Sequence, residues 1–75
     1  MEFRLDPTVL DMARNHVGAR SDEALGQQFL SKTGVTVRNW RSGRTVPDIH
    51  SLMVLRDLTG RPLDTMIIHA SAAAA

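Results

Sequence analysis

Cysteine is absent from this chain of 75 residues, so neither a disulfide framework nor a thiolate zinc site can hold the fold together. Packed side chains must do so instead. A chain of this length suffices for one compact domain with a single small core, and it is too short for a catalytic domain with a sizeable substrate pocket. We therefore expect one domain over residues 1–69, followed by a flexible alanine-rich tail over residues 70–75 that has no large side chain to bury.

Long apolar runs are absent as well. No run in the sequence approaches the roughly 20 apolar residues that a helix needs to span a bilayer. The amino terminus, MEFRLDPT, carries acidic residues and lacks the basic-then-apolar pattern of a secretion signal. These two absences predict a soluble, cytoplasmic protein.

Motifs for catalysis and metal binding are also missing. The three histidines, His16, His50 and His69, are far apart and have neither i, i+4 spacing nor the companion thiolates of a metal site. The chain contains no nucleophile elbow and no phosphate-cradling loop that ends in Gly-Lys-Ser/Thr. We predict no enzyme activity, no metal and no cofactor.

Acidic residues are lacking from the middle of the chain. None occurs between Glu23 and Asp48, so residues 24–47 carry a net charge of +4 while the rest of the chain carries −3. This segregation, hidden within a formal net charge of +1, favours a surface that faces a polyanion. A solvated basic loop is the alternative interpretation.

Apolar periodicity and cap residues predict five short helices. They are residues 6–17, 22–30 and 33–42, a fourth that begins at Asp48 and ends at Gly60, and a last short one that begins at Pro62. The predicted N-caps are Asp6, Ser21 and Thr33, and the predicted terminating glycines are Gly18, Gly43 and Gly60. The fold class is therefore all-α, and a strand pattern over residues 2–5 is weak.

The inward side chains follow from the same periodicity. The second helix is expected to bury Ala24, Leu25 and Phe29, and the last helix Leu63, Met66 and Ile67. On the third helix Val37 and Trp40 lie one turn apart and form the inward face. Trp40, the only tryptophan, is therefore interpreted as a core anchor and not as a base-stacking residue.

The second and third helices are separated by a turn of about three residues, which is the helix-turn-helix arrangement. Opposite Val37 and Trp40, the third helix carries Val35, Arg38, Asn39 and Ser42, with Gly34 at the edge of this face. Arginine can pair with guanine, asparagine with adenine, and valine can touch a thymine methyl group. We predict base contacts from Gly34, Val35, Arg38 and Asn39.

Alternatives to these base contacts remain open. Arg38 and Asn39 are equally compatible with ordinary solvent-facing residues, and Gly34 either permits close approach to DNA or eases entry into the helix. Phosphate contacts are predicted for residues at the two ends of the helix, namely Lys32, Thr33, Arg41, Ser42 and Arg44. Helix capping and termination explain Thr33 and Ser42 as well.

The chain resembles the lambda-repressor-like or Cro-type helix-turn-helix family, also called the XRE family, over roughly residues 9–68. The matching segments are SDEALGQQF, TGVTVRNWRSGRTVP and DIHSLMVLRDLTGRPLDTMI. The resemblance implies that Gly34, Val35, Arg38 and Asn39 face bases, and that Thr33, Arg41, Ser42 and Arg44 lie near phosphates.

Three departures from the family pattern bear on these expectations. One extra residue stands between Phe29 and Thr33, which predicts a longer second helix or turn. Asp22 stands where the family often has a phosphate-binding glutamine, so its charge is expected to repel the DNA backbone. Pro62 replaces a usual capping Ser or Thr and affects only the last helix.

The resemblance implies a sequence-specific transcriptional regulator that binds double-stranded DNA. Its small size makes it more similar to a stand-alone Cro-like phage repressor, acting on the nucleoid of a bacterial host, than to a full repressor. Two copies would bind a palindromic operator with half-sites about 34 Å apart. Met66, Ile67 and Ile68 are interpreted either as homodimer contacts or as closure of the monomer core.

Two other function classes remain open. One is a protein-binding module such as an antitoxin, which uses this fold to mask another protein. The other is an excisionase-like architectural DNA-binding protein. Sequence selectivity in DNA binding separates the leading prediction from the first of these.

Overall fold

The structure is a computed structural model that describes residues 3–69, and this part of the chain is mostly helical. Its elements are β1 (Phe3–Leu5), α1 (Pro7–Val17), α2 (Asp22–Leu25) with a π-helical turn (Gly26–Leu30) directly after it, α3 (Gly34–Ser42), α4 (Ile49–Thr59), α5 (Leu63–Met66) and β2 (Ile67–His69). The prediction of an all-α class is confirmed in so far as the described residues are mostly helical. The predicted tail, residues 70–75, lies outside the described residues. Within residues 3–69, no helix is long and apolar enough to cross a membrane.

Side-chain caps set the start of the four longer helical segments. Asp6 accepts a hydrogen bond from the backbone N–H of Thr8 at 3.0 Å, and Ser21 accepts one from Ala24 at 3.0 Å. Thr33 and Asp48 cap α3 and α4 in the same way. Each cap satisfies a backbone donor that has no partner inside its helix. The predicted caps at Asp6, Ser21 and Thr33 are therefore confirmed.

The core lies where the inner faces of the helices meet under the two short strands. Its ten buried side chains are Leu5, Val9, Leu10, Ala13, Leu25, Leu30, Val37, Trp40, Leu55 and Met66. The predicted inward positions Val37 and Trp40 are confirmed. Phe29 is not in this core, because 39% of it is exposed, and the neighbouring Leu30 is buried in its place.

Leu30 is buried where Phe29 was expected because of the π-helical turn. There the backbone N–H of Ser31 donates to the carbonyl of Gly26, five residues earlier, and the N–H of Lys32 also donates to that carbonyl at 2.9 Å. A π-helical turn accommodates one more residue than an α-helical turn. One additional residue is thus taken up inside this helical segment, and the buried apolar position moves from Phe29 to Leu30.

The two ends of the described chain pair as a small antiparallel sheet. Phe3 lies opposite His69 and Leu5 lies opposite Ile67. The expected last helix therefore stops at Met66, and its expected inward residue Ile67 lies in β2. Ile67 and Ile68 are β-branched and favour strands, and pairing with residues 3–5 satisfies their backbone groups.

Met66 and Ile68 have different environments, although both were considered for a dimer contact. Met66 is fully buried in the monomer core, whereas 40% of Ile68 is exposed. Ile67 is half-buried against the core. The structure therefore places Met66 in the monomer core, which is the second of the two roles considered for it, and leaves Ile68 at the surface.

We predict that Met66→Ala lowers the free energy of unfolding by about 2 to 5 kcal/mol, because it leaves a cavity in the core. The matched control is Met53→Ala on α4, where 43% of the methionine is exposed. This control should cost less than about 1 kcal/mol. Urea denaturation measures both, and equal losses would contradict the burial of Met66.

Candidate nucleic-acid interface

The exposed side of α3 carries the polar residues that the sequence placed there. Its inner side is fixed in the core by Val37 and Trp40. The opposite side, here named the outer face of α3, consists of Val35, Arg38, Asn39 and Ser42. Val35 is 60% exposed although it is apolar, and Asn39 is half-buried.

Arg38 and Asn39 offer unused hydrogen-bonding groups on this face. Within residues 3–69, neither side chain forms a hydrogen bond or an ion pair with another residue, whereas the carbonyl of Asn39 accepts from the N–H of Arg44 at 2.9 Å. That backbone bond belongs to the end of the helix and leaves the Asn39 amide free. Both side chains can therefore bind an external group without breaking a side-chain hydrogen bond or an ion pair within residues 3–69.

Gly34, for which a base contact was predicted, does not lie on the outer face of α3 and is packed against α2. It is buried, and a Cβ atom at this position would lie 2.8 Å from the Cβ of Glu23 on α2. The absence of a side chain thus lets α2 and α3 approach each other closely. The two interpretations considered from the sequence, close approach to DNA and easy entry into the helix, did not include this packing of Gly34 against α2.

The space beside Gly34 also receives the side chain of Arg38. Its Nη1 lies 3.1 Å from the position that a Gly34 Cβ would occupy. Side chains in a helix point back towards the amino terminus, so a residue four positions later covers the glycine. The Arg38 guanidinium is consequently held over the first turn of α3.

Arg41, for which a phosphate contact was predicted, forms several hydrogen bonds within the protein. Its Nε donates to Oδ2 of Asp22 at 2.9 Å, its Nη2 donates to Oδ1 of Asp22 at 2.9 Å, and its Nη1 donates to Asp11 at 2.9 Å. The guanidinium is therefore engaged by two carboxylates, with which a phosphate contact would have to compete. Its position beside Val37 on the helix was the signal in the sequence that it lies near the inner side.

Asp22 is held in its charged form by these contacts. The hydrogen bonds from Arg41 lower the pKa of Asp22 despite its partial burial, and Arg14 adds a second positive charge at 3.6 Å. Three arginines, Arg41, Arg14 and Arg38, thus compensate the Asp22 carboxylate, which would weaken its predicted repulsion of a DNA backbone.

The side chains of the other residues predicted to contact phosphates differ in whether they are already bonded within the protein. Lys32 lies 3.5 Å from the carboxylate of Asp48, and both groups are partly exposed. The hydroxyl of Thr33 caps α3, and the hydroxyl of Ser42 donates to the carbonyl of Asn39 at 3.1 Å. Arg44 is exposed, and its guanidinium pairs with no carboxylate within residues 3–69. Arg38 and Arg44 are thus the cations of the basic segment that form no hydrogen bond or close ion pair with a carboxylate there, although the charge of Arg38 helps to lower the pKa of Asp22.

Two residues that shape this site were missed by the sequence reasoning. A Cβ at Gly26 would lie 2.6 Å from the carbonyl oxygen of Lys32, so Gly26 allows the turn before α3 to fold tightly against the helix. A glycine inside a predicted helix was the available signal. Arg4 donates from Nη2 to the carbonyl of Arg41 at 3.1 Å, and no pattern of neighbouring residues in the sequence predicts this contact.

No family model matches the chain, and neither the curated proteins nor the solved structures give a significant match. Among residues 3–69, no group of three potential ligand side chains is arranged to hold a metal ion. The geometry of α3 therefore carries the functional inference.

We predict that Asp22→Asn lowers the free energy of unfolding at pH 7 by about 1 to 2 kcal/mol, because the charge-assisted bonds to Arg41 are lost. The folded pKa of Asp22 is lowered from an unfolded value of about 3.9, so its contribution is present above about pH 4. That contribution is lost as the pH falls through the folded pKa. The difference between the two proteins should then close, as urea denaturation at several pH values can measure.

Asp57→Asn is the matched control for this change. Asp57 is 73% exposed and pairs only with the adjacent Arg56 among the described residues. The substitution should cost less than about 0.5 kcal/mol at any pH. A loss at pH 7 of the same size as that of Asp22→Asn would show that Asp22 has no special role.

Proposed function

We propose that this protein is a sequence-specific DNA-binding transcriptional regulator of the lambda-repressor-like helix-turn-helix type, and that it inserts α3 into the major groove of an operator. The observation that carries the proposal is the outer face of α3. There the side chains of Arg38 and Asn39 form no hydrogen bond and no ion pair within residues 3–69, while Val37, Trp40 and Arg41 fix the opposite side of the same helix.

The arrangement of α2 and α3 supports this proposal. The turn between the π-helical turn that extends α2 and the start of α3 comprises residues 31–33, and α2 packs closely on α3 at Glu23 and Gly34. In helix-turn-helix proteins the second helix of such a pair lies in the major groove, and its amino-terminal residues contact base edges. Val35 and Arg38, with its guanidinium over the first turn, occupy that part of α3.

The chemistry of the outer face of α3 fits base edges. Arg38 can donate two hydrogen bonds to O6 and N7 of guanine, and Asn39 can pair with N6 and N7 of adenine. Val35, exposed and apolar, fits the methyl group of thymine. Each well-formed bidentate pair discriminates against a wrong base by about 1 to 3 kcal/mol.

Phosphate binding is assigned mainly to Arg44, which directly follows α3. Lys32 can contribute because its ion pair with Asp48 is exposed and weak. We propose a Cro-like repressor that acts as two copies on a palindromic operator and occludes a promoter. Of the residues considered for contacts between the copies, Ile68 is at the surface and Ile67 is half-buried.

We predict that Arg38→Ala changes the sequence that the protein selects from random DNA duplexes, through loss of preference at one guanine position. The affinity for the wild-type operator should fall about 5- to 150-fold, which corresponds to about 1 to 3 kcal/mol. Arg56→Ala on α4 removes the same charge outside α3 and should leave the selected motif unchanged. An unchanged motif for Arg38→Ala would rule out base reading by this residue.

We predict that Arg44→Ala weakens binding to all duplexes alike and flattens the slope of log K against log salt by about one unit. The reason is that one phosphate contact fewer releases about one counterion fewer. Titrations at several salt concentrations measure this slope, again with Arg56→Ala as the control. A retained slope would remove Arg44 from the phosphate contacts. Absence of sequence preference in the wild type would instead favour the protein-binding alternative.

A further inference from the structure

The carboxyl-terminal end of α3 is covered by a residue from the other end of the fold. Arg4 lies in the middle of β1, between Phe3 and the fully buried Leu5. Successive side chains of a strand point to opposite faces, so Arg4 leaves the sheet on the side away from Leu5. Its Nη2 donates to the carbonyl of Arg41 in the last turn of α3 at 3.1 Å.

The Arg4 guanidinium also packs against Gly43, the residue that ends α3. A Cβ at Gly43 would lie 3.2 Å from Cζ of Arg4 and 3.3 Å from its Nε. Gly43 also has a φ of +82°, a conformation that favours glycine. The guanidinium therefore occupies the space that a side chain at position 43 would need.

The positive charge of Arg4 lies beside the backbone carbonyls at the carboxyl-terminal end of α3. Among residues 3–69, no carboxylate forms an ion pair with Arg4. The unpaired carbonyls at a helix carboxyl terminus carry partial negative charge, and a nearby cation stabilises them. Arg4 supplies that cation and one hydrogen bond together.

We propose that Arg4 is a positioning residue for α3, which fixes the last turn of the helix against the β1–β2 sheet. Its consequence for DNA binding rests on the function proposed above. Arg41 holds the same turn through its side-chain bonds to Asp11 and Asp22, while Arg4 holds the turn through the Arg41 carbonyl. The last turn of α3 is thus fixed on two sides, directly before Arg44.

The pairing of β1 with β2 fixes the backbone from which the Arg4 side chain extends. Arg4 lies opposite Ile68 in the strand pair, and the N–H of Asp6 donates to the carbonyl of Met66 at 2.8 Å. With Leu5 anchored in the core, the backbone of β1 cannot shift without breaking these bonds. The two ends of the described chain therefore determine where the Arg4 guanidinium lies, and through it where α3 ends.

The test compares Arg4→Met, which keeps length but removes charge and donor, with Arg4→Lys, which retains a charge and a donor. Arg56→Met is the control for loss of one positive charge elsewhere. In the free protein, the backbone amides of Gly43 and Arg44 should exchange with solvent about tenfold faster in Arg4→Met, since the turn that they close has lost a charged hydrogen bond. The lysine variant should restore part of this protection, and Arg56→Met should not alter it.

Exchange at Leu10 and Leu55, two core positions, reports on global stability in the same experiment. A uniform increase at all four amides would mean that Arg4 only stabilises the whole fold, which would overturn the proposal. Unchanged exchange at Gly43 and Arg44 would overturn it as well. These readouts require no DNA, so they test the hold of Arg4 on α3 separately from the proposed function.

Binding to a selected duplex supplies the second readout. Arg4→Met should lower the affinity about tenfold while the slope of log K against log salt stays that of the wild type, because no phosphate contact is lost. A slope smaller by about one unit would show that Arg4 binds a phosphate directly, which would overturn its positioning role. If the amides of Gly43 and Arg44 exchange faster in Arg4→Met as expected but the wild type binds no DNA, the proposed function is rejected. The positioning of α3 by Arg4 is then still supported.

Discussion

The guanidinium of Arg41 joins three helices of this small protein, and the orientation of the outer face of α3 depends on it. Two bonds to Asp22 tie α3 to α2, and one bond to Asp11 ties it to α1. Paired charges of this kind contribute less to stability than to orientation, because removing them from water offsets much of their attraction. The ion pairs set how α3 is rotated, and therefore which of its side chains reach solvent.

Close contact between α2 and α3 is the second constraint. Gly26 and Gly34 lie where a Cβ atom would collide with the neighbouring segment, so the turn and the two helices pack without intervening side chains. The π-helical turn at residues 26–30 takes up an additional residue without separating the helices. The packing leaves room beside Gly34 for Arg38, whose guanidinium lies over the start of the helix.

Much of the fold could be predicted from neighbouring residues. The caps at Asp6, Ser21 and Thr33, the glycine that ends α3, and the inward pair Val37 and Trp40 all depend on interactions within one or two turns of a helix. The outer face of α3 followed from the same periodicity. The inward position of Phe29 was predicted wrongly, because a π-helical turn replaces the regular helix there. The last short helix was predicted, but it ends at Met66, and Ile67 lies in a strand that pairs with residues 3–5.

The sequence by itself determined the local structure of this protein, because caps and helix faces arise between residues at most four positions apart. The tertiary structure alone decided the roles of Arg41, Gly34 and Arg4. The partners of Arg41 are 19 and 30 positions away, and Arg4 reaches a carbonyl 37 positions away. An arginine in a basic segment has the same local pattern whether it binds a phosphate or a carboxylate. Only the packing of α1, α2 and β1 around α3 distinguishes the two.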